Sequence, residues 1–440
     1  MTSFDISALS KLNDRYHMFR TMAREDEVKD AGFLFSVEDS LLSLEMDTCC
    51  GSEMLEGYRP PFEAEPISRM RSAGGLLIGK TNMDEFGFGS FSADSPFGIP
   101  KNPYDSGRSC GGAAGGAACA AAVIDDHVSL AVSSGGSLCG PAGFCGVYGM
   151  APTYGRVSKH GVLDSASSID RVGILSSDAT NMIKHIRTIS GADSKDPASC
   201  MQPELGEDRK IGSVAVPEGI LETASQEVKD AFNESVEHLR SMGIDVGTVK
   251  IQSLKYSASA YKVLMTSEAS TALARYCGMR YGRQKGDLAL GFDDYFTSFR
   301  TKYFGKEVKK GVILGTYARM EGSRERYYNK ARMVRQLIIE EYRSVFKEYD
   351  AVVTPTVPCA APMFSDIPEM STEEKFAIET YTSPPSLAGM PHLSVPCGYN
   401  GEGMPIGLQF IADQWNDSSL FSVAKLWEDG FDMIKPEVSI

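Results

Sequence analysis

The run Ser133-Ser134-Gly135-Gly136-Ser137 sets a hydroxyl directly behind two glycines. It follows the apolar stretch His127-Val128-Ser129-Leu130-Ala131-Val132, which reads as a buried strand. Two glycines after a strand let the backbone turn tightly. Successive N–H groups in such a turn face one concavity, as an oxyanion hole requires. A serine hydroxyl at that turn is exposed to substrate and donors alike, and becomes a nucleophile once a base takes its proton. Taken alone, the same tripeptide is also a common loop sequence. Metal chemistry has less to build on: the six histidines stand singly, without a His-Glu-x-x-His motif.

The elements that must position this turn can be read from apolar runs and their breakers. Glu25 to Asp39 reads as a charged helix turning into the strand Gly32-Phe33-Leu34-Phe35-Ser36-Val37. A helix over Glu65 to Ala73 leads into the buried strand Gly75-Leu76-Leu77-Ile78-Gly79, which ends at Lys80. Gly111 to Ile124 is rich in glycine and alanine, as a helix packed closely on other backbone would be. Further on, the strand Ile211 to Val216, the helix Ser225 to Met242 and the strand Val246 to Ile251 give a β-α-β order. The helix buries Val228, Phe232, Val236 and Leu239 on one face and stops at Gly243. Three late strands are expected at Ala351–Thr354, Leu393–Pro396 and Ile406–Ile411, with a closing helix from Ser418 to Trp427. The expectation is one α/β domain over residues 1–440, with a central mixed sheet covered by helices. It has an N-terminal helical segment over about residues 1–30 and a mostly helical elaboration over about 256–349.

Composition narrows the function classes. The 440 residues, 42% hydrophobic, can bury a large core. A formal charge of −14 argues against a chain that grips nucleic acid by itself, since that binding neutralises phosphates. It leaves room for a partner that does so. No basic stretch followed by an apolar core opens the chain, and the longest apolar run, Ala117 to Ile124, is far too short to span a bilayer. Ten cysteines occur without a Cys-x-x-Cys pair, and Cys119, Cys139 and Cys145 sit among small apolar residues. Reduced, buried thiols in the cytoplasm are expected.

Six segments carry a resemblance, in order along the chain: LLIGKTNMDEFGFGS, GGAAGGAACAAAV, GGSLCGPAGFCGVYGMAPTYGRVSKHGV, EVKKGVILGTYA, LAGMPHLSVPCG and PIGLQFIA. From about Gly32 to Phe410 the chain resembles the amidase signature family. Within it, the chain looks most like the hydrolase subunits of tRNA-dependent amidotransferases, with phrases closest to their archaeal branch. The resemblance implies the amidase signature fold and a Ser–cis-Ser–Lys mechanism. Ser137 would attack a carboxamide carbon, the N–H groups of Ser134, Gly135, Gly136 and Ser137 would hold the oxyanion, and neutral Lys80 would be the base. Burial disfavours an ammonium, so a desolvated lysine is a physically reasonable base.

The chain departs from that family pattern at the relay. Aligning GGAAGGAACAAAV on the family's Gly-Gly-Ser-Ser-Gly-Gly segment puts Ala113 at the relay serine, with a spacing to Ser137 that needs no gap. A second frame over Gly107-Arg108-Ser109-Cys110-Gly111-Gly112 offers Ser109 instead, but requires a four-residue insertion. The first frame is preferred. Alanine has no hydroxyl to pass a proton, so unaided catalysis is expected to be weak. In the substrate pocket, Tyr261 and Glu379 match the family's Tyr and Asp, while its Arg position falls on Gly311, preceded by Lys310. Glycine cannot make the paired hydrogen bonds by which an arginine grips a carboxylate.

Three functions follow from the resemblance. The first is release of ammonia from glutamine for partner B and C subunits. The B subunit would hold aminoacyl-tRNA and use ATP and Mg2+, none of which this chain would bind as its own cofactor. The second is a free-standing amidase on another carboxamide. The third is a catalytically silent scaffold of the same complex.

Overall fold

Residues 6–24, 31–199, 201–284, 286–431 and 433–438 are described by the computed structural model. The chain enters with a helix over Ile6–Tyr16, then β1 (Phe19–Met22), β2 (Phe33–Glu38), β3 (Gly75–Thr81) and β4 (His127–Ser133). Next come β5 (Tyr148–Ala151), β6 (Arg171–Ser176), β7 (Ser213–Pro217) and β8 (Asp245–Val249). The last three strands are β9 (Ala351–Pro355), β10 (His392–Tyr399) and β11 (Pro405–Ala412). Among the described residues these form one eleven-stranded mixed sheet in the order β1-β3-β2-β4-β6-β5-β10-β11-β9-β7-β8.

The part that positions the site is the parallel trio β3-β2-β4. Leu34 to Val37 of β2 pairs with His127 to Leu130 of β4, and Val37 lies beside Lys80 of β3. Side chains alternate across a strand, and the core reflects it. Val128, Leu130 and Val132 enter the larger core cluster with Phe35, Val37 and Leu77. Ala131 and Ile78 face the other way, onto the alanine-rich helix Gly115–Val123. Because all three strands run the same way, Glu38, Lys80 and Ser133 emerge at one edge. Ligand sites of open α/β sheets lie at that carboxyl edge.

The expected helix over Gly111 to Ile124 is the helix Gly115–Val123, and the expected β-α-β unit is β7, the helix Gln226–Ser241 and β8. Residues 256–349 hold the helices Ser257–Ala272, Phe292–Tyr303, Lys306–Arg319 and Lys330–Val345. In the N-terminal segment the helix over Ile6–Tyr16 gives way to β1, which pairs antiparallel with β3. The charged helix expected from Glu25 falls largely on residues 25–30, outside the described residues; from Phe33 onward the chain is strand. β6 escaped the apolar pattern because it begins with Arg171. That buried guanidinium is satisfied by the carbonyls of Met390 and Ser386, each at 2.7 Å.

Gly116 shows why the first helix of the site is built from glycine and alanine. A Cβ there would meet the backbone oxygens of Asn82 at 2.5 Å and Met18 at 2.6 Å, which cannot swing aside as a flexible side-chain end can. Gly116→Ala would gain up to about 1 kcal/mol of helix propensity. Overpacking against backbone costs roughly 1–3 kcal/mol and outweighs it. Urea unfolding should therefore show a net loss of stability for Gly116→Ala, and a net gain would contradict the close approach.

Candidate functional site

The Ser/Gly turn leaves β4 at Ser133 and runs into the helix Cys139–Cys145. The Ser134 hydroxyl donates to Asp170 Oδ1 at 2.6 Å. Asp170 Oδ2 in turn accepts from the N–H groups of Ser165 and Ala166, at 2.9 and 2.8 Å. Further along the turn, Gly140 N–H donates to the Gly136 carbonyl at 2.8 Å and Ala114 N–H to the Ser137 carbonyl at 3.1 Å. With their carbonyls engaged, the turn's conformation is held from both sides. The glycines are sterically required: a Cβ on Gly135 would overlap the Tyr261 ring, and one on Gly136 would overlap Thr382 Oγ1. Tyr261 is buried, and its phenol is pushed well above its usual range by burial, then by the charges of Glu379 and Asp170.

Ser137, Ala113, Ser134, Asp170, Glu38 and Cys50 contribute to the wall of one cavity of about 280 Å³. Ala113 follows a cis peptide from Gly112, and its methyl stands in the same cavity as Ser137. Ser109, the other relay candidate, is not part of that wall. Its buried hydroxyl donates to the Phe91 carbonyl at 2.6 Å. The geometry therefore brings Ala113, and not Ser109, to Ser137.

Lys80 is placed differently from the expectation. Its fully buried ammonium donates to the Leu41 carbonyl and to Thr48 Oγ1 (2.8 Å), and it lies 3.6 Å from Asp39 Oδ1. An ammonium has three hydrogens, and these three acceptors take them all. Burial lowers its pKa to about 8 and Asp39 opposes that shift, so the charged form prevails at neutral pH. Lys80 does not line the cavity with Ser137. Its surroundings correct the sequence expectation of a neutral base: it is a charged strut between β3 and the segment after β2.

The titratable group that does face Ser137 across the cavity was missed. Glu38, the last residue of β2, is fully buried. Its Oε1 accepts from Ser40 Oγ at 2.8 Å and its Oε2 from Val132 N–H at 3.1 Å. Burial pushes its pKa up to about 7 against those hydrogen bonds, with Asp170 and Asp39 adding repulsion. The usable signal was a carboxylate closing the apolar strand Phe33-Leu34-Phe35-Ser36-Val37 at the edge where ligands bind. Asp170, likewise missed, is raised to about 6 by burial, partly offset by Ser134.

The substrate-side residues divide in the same way. Glu379 lies beside Gly136, accepts from Ser90 Oγ at 3.1 Å, and has Lys262 Nζ 3.0 Å from its Oε2. That last approach is an ion pair and not an aligned hydrogen bond, for Oε2 has no hydrogen-bond partner among the described residues. Gly311 lies in the helix Lys306–Arg319, and a Cβ there would overlap the Phe88 ring. Phe88 thus fills the space into which a side chain at residue 311 would grow. Lys310 is exposed and paired with Glu307 at 2.6 Å, away from the cavity.

The raised pKa of Glu38 makes a stability prediction. A carboxyl whose folded pKa lies above its unfolded value binds protons more tightly when folded. Its burial therefore destabilises the fold increasingly as pH rises from about 4.5 through about 7. Glu38→Gln keeps the shape and removes that cost. The stability difference between variant and parent should shift in the variant's favour between pH 5 and pH 8, by on the order of 3 kcal/mol if the whole shift is realised. A pH-independent difference in urea unfolding would contradict it.

Comparison with known proteins agrees with this geometry. The amidase family profile matches residues 22–421. The chain is 35% identical over 441 residues to the A subunit of the glutamyl-tRNA(Gln) amidotransferase of Clostridium novyi, covering 98% of this chain and 90% of that one. It is 37% identical over 402 residues to the corresponding protein of Archaeoglobus fulgidus, covering 90% and 85%. The crystal structure of the Thermotoga maritima glutamyl-tRNA(Gln) amidotransferase A subunit superposes with a TM-score of 0.84 at 30% identity, covering 99% of this chain and 93% of that one. A native peptide amidase from Stenotrophomonas maltophilia shares the fold, with a TM-score of 0.82 at 23% identity over 98% of this chain and 93% of that one. With its central mixed sheet, its Ser/Gly turn at the end of β4 and these similarities along nearly its whole length, the chain belongs to the amidase family.

Proposed function

We propose that the chain is the amide-hydrolysing subunit of a tRNA-dependent amidotransferase, with Ser137 as its nucleophile. The observation that carries this reading is the Ser137 hydroxyl in a closed cavity, at the end of a turn whose glycines admit no side chain and whose first serine is tied to Asp170. Ser137 Oγ attacks the carboxamide of glutamine, and the N–H groups of Ser134, Gly135, Gly136 and Ser137 stabilise the developing oxyanion. Such donors are typically worth 10²–10³ in rate. Ammonia leaves and an acyl-serine is hydrolysed in turn. Tyr261 and Glu379 lie at the turn and would receive the amino-acid end of glutamine. The names of the relatives support partner B and C subunits. The acidic charge of this chain suits a division in which the B subunit holds the aminoacyl-tRNA and uses ATP and Mg2+ in the cytoplasm.

A second reading is favoured by the Ala113 methyl in the relay position and by the engagement of Lys80 outside the cavity wall. In that reading the chain is a scaffold that keeps the complex together and leaves glutamine untouched.

One experiment separates them. The chain is reconstituted with its B-type and C-type partners, and glutamine hydrolysis is measured alongside amidotransfer supplied with free ammonia. An active hydrolase loses glutamine turnover on Ser137→Ala while ammonia-dependent transfer persists. Ala113→Ser, which restores a hydroxyl for proton transfer, should raise turnover by about tenfold or more. Glutamine turnover indifferent to Ser137→Ala would overturn the nucleophile. Ammonia-dependent transfer with no glutamine turnover in any variant would select the scaffold.

A further inference from the structure

We propose that Glu38 is the base that takes the Ser137 proton in this chain. The inference rests on Ser137 being the nucleophile. Three titratable groups share the cavity wall with it: Glu38, Cys50 and Asp170.

Asp170 has no oxygen to spare. One accepts from Ser134 Oγ and the other from the Ser165 and Ala166 N–H groups, all at 2.9 Å or less. Losing those bonds would release the turn that holds the oxyanion. Cys50 is fully buried, and burial together with the charges of Glu38 and Asp39 pushes its thiol well above the usual range, so it stays protonated. Lys80 lies outside the wall with its three hydrogens committed to Asp39, Leu41 and Thr48.

Glu38 remains. Each of its oxygens accepts one hydrogen bond, from Ser40 Oγ and from Val132 N–H, and each keeps a lone pair. The Val132 N–H also fixes the carboxylate to the strand that carries Ser137, so base and nucleophile are positioned by the same element. The charged groups around it are Asp39 beside it on β2, Asp170 across the cavity and Lys80 behind Asp39. The two carboxylates raise the basicity of Glu38. Its pKa of about 7 falls where a general base is most effective near neutral pH.

The step balances without a co-reactant. The Ser137 O–H proton moves to Glu38 as Oγ bonds to the carbonyl carbon. When the C–N bond breaks, the protonated carboxyl returns that proton to the leaving nitrogen, and ammonia departs. Water then repeats the first half, its proton passing to Glu38 and on to Ser137 as the acyl group is released. In this arrangement the Ala113 methyl removes one relay without removing the base.

The test uses a fluorophosphonate probe on the full chain, read by mass spectrometry as a phosphonylated Ser137, so it needs neither glutamine nor any partner. Labelling should accelerate about 100-fold from pH 5 to pH 8 with a midpoint near 7. Glu38→Gln should flatten that profile and slow labelling at pH 8 by a similar factor, with thermal melting confirming the fold. Glu38→Asp, which keeps a carboxylate on a shorter arm, should retain part of the rate and shift the midpoint. Labelling of Glu38→Gln at the parent rate with an unchanged profile would overturn Glu38 while leaving the nucleophile standing. Absence of probe on Ser137 at every pH would overturn both. Labelling of Ser137 together with failure to hydrolyse glutamine would uphold Glu38 and remove only glutamine as the substrate.

Discussion

The buried carboxylate of Asp39 is the constraint around which the site is arranged. Arg20 of β1 grips it with Nε at 2.8 Å and Nη2 at 2.9 Å, and Cys49 and Gly51 donate backbone N–H groups at 3.2 and 3.3 Å. Lys80 of β3 completes the shell at 3.6 Å. One anion thus ties β1, β2, β3 and the segment over residues 48–51 together. Removing one partner of such a buried set typically costs about 3–5 kcal/mol, because a charge is left without compensation. The same anchor sets the chemistry nearby. With Asp39 held on one side of β2, strand alternation turns Glu38 to the other, into the cavity wall beside Val132.

A cavity walled by Glu38 and Asp170 differs in electrostatic character from one served by a lysine. Both carboxyls are raised, to about 7 and about 6, because water is excluded and the charges repel. The oxyanion turn supplies the balancing positive field through its N–H groups, and Asp170 spends its hydrogen bonds keeping that turn in shape. Division of labour follows: one carboxyl is structural, and the other has free lone pairs. On the substrate side, Phe88 against Gly311 replaces a cationic contact with a packed ring, and Lys262 beside Glu379 is the cation paired with the turn's acidic neighbour.

Much of the fold was legible because long apolar runs leave little choice. β3, β4, β10 and β11 follow from Leu76 to Ile78, Val128 to Val132, Leu393 to Val395 and Ile406 to Ile411. β6 was hidden by Arg171, whose satisfaction depends on carbonyls more than 200 residues away. In the site, Ser137 was legible from the glycines before it, since their small size is required by Tyr261 and Thr382. Lys80 misled because a lysine at the end of a buried strand looks like a base until its acceptors are known. Those acceptors come from Asp39, Leu41 and Thr48, a segment with no regular pattern to announce it. Glu38 was passed over because a terminal carboxylate ordinarily means the strand has reached water. Here it has reached an enclosed cavity.

Which side chain serves Ser137 is addressed most directly by a crystal structure of the chain with a phosphonate bonded to Ser137 Oγ. Glu38 is predicted to be the ionisable side chain nearest the adduct, within hydrogen-bond reach of it or one water away, with Lys80 Nζ still on Asp39, Leu41 and Thr48. A Lys80 ammonium swung away from Asp39 and bonded at the adduct would contradict it.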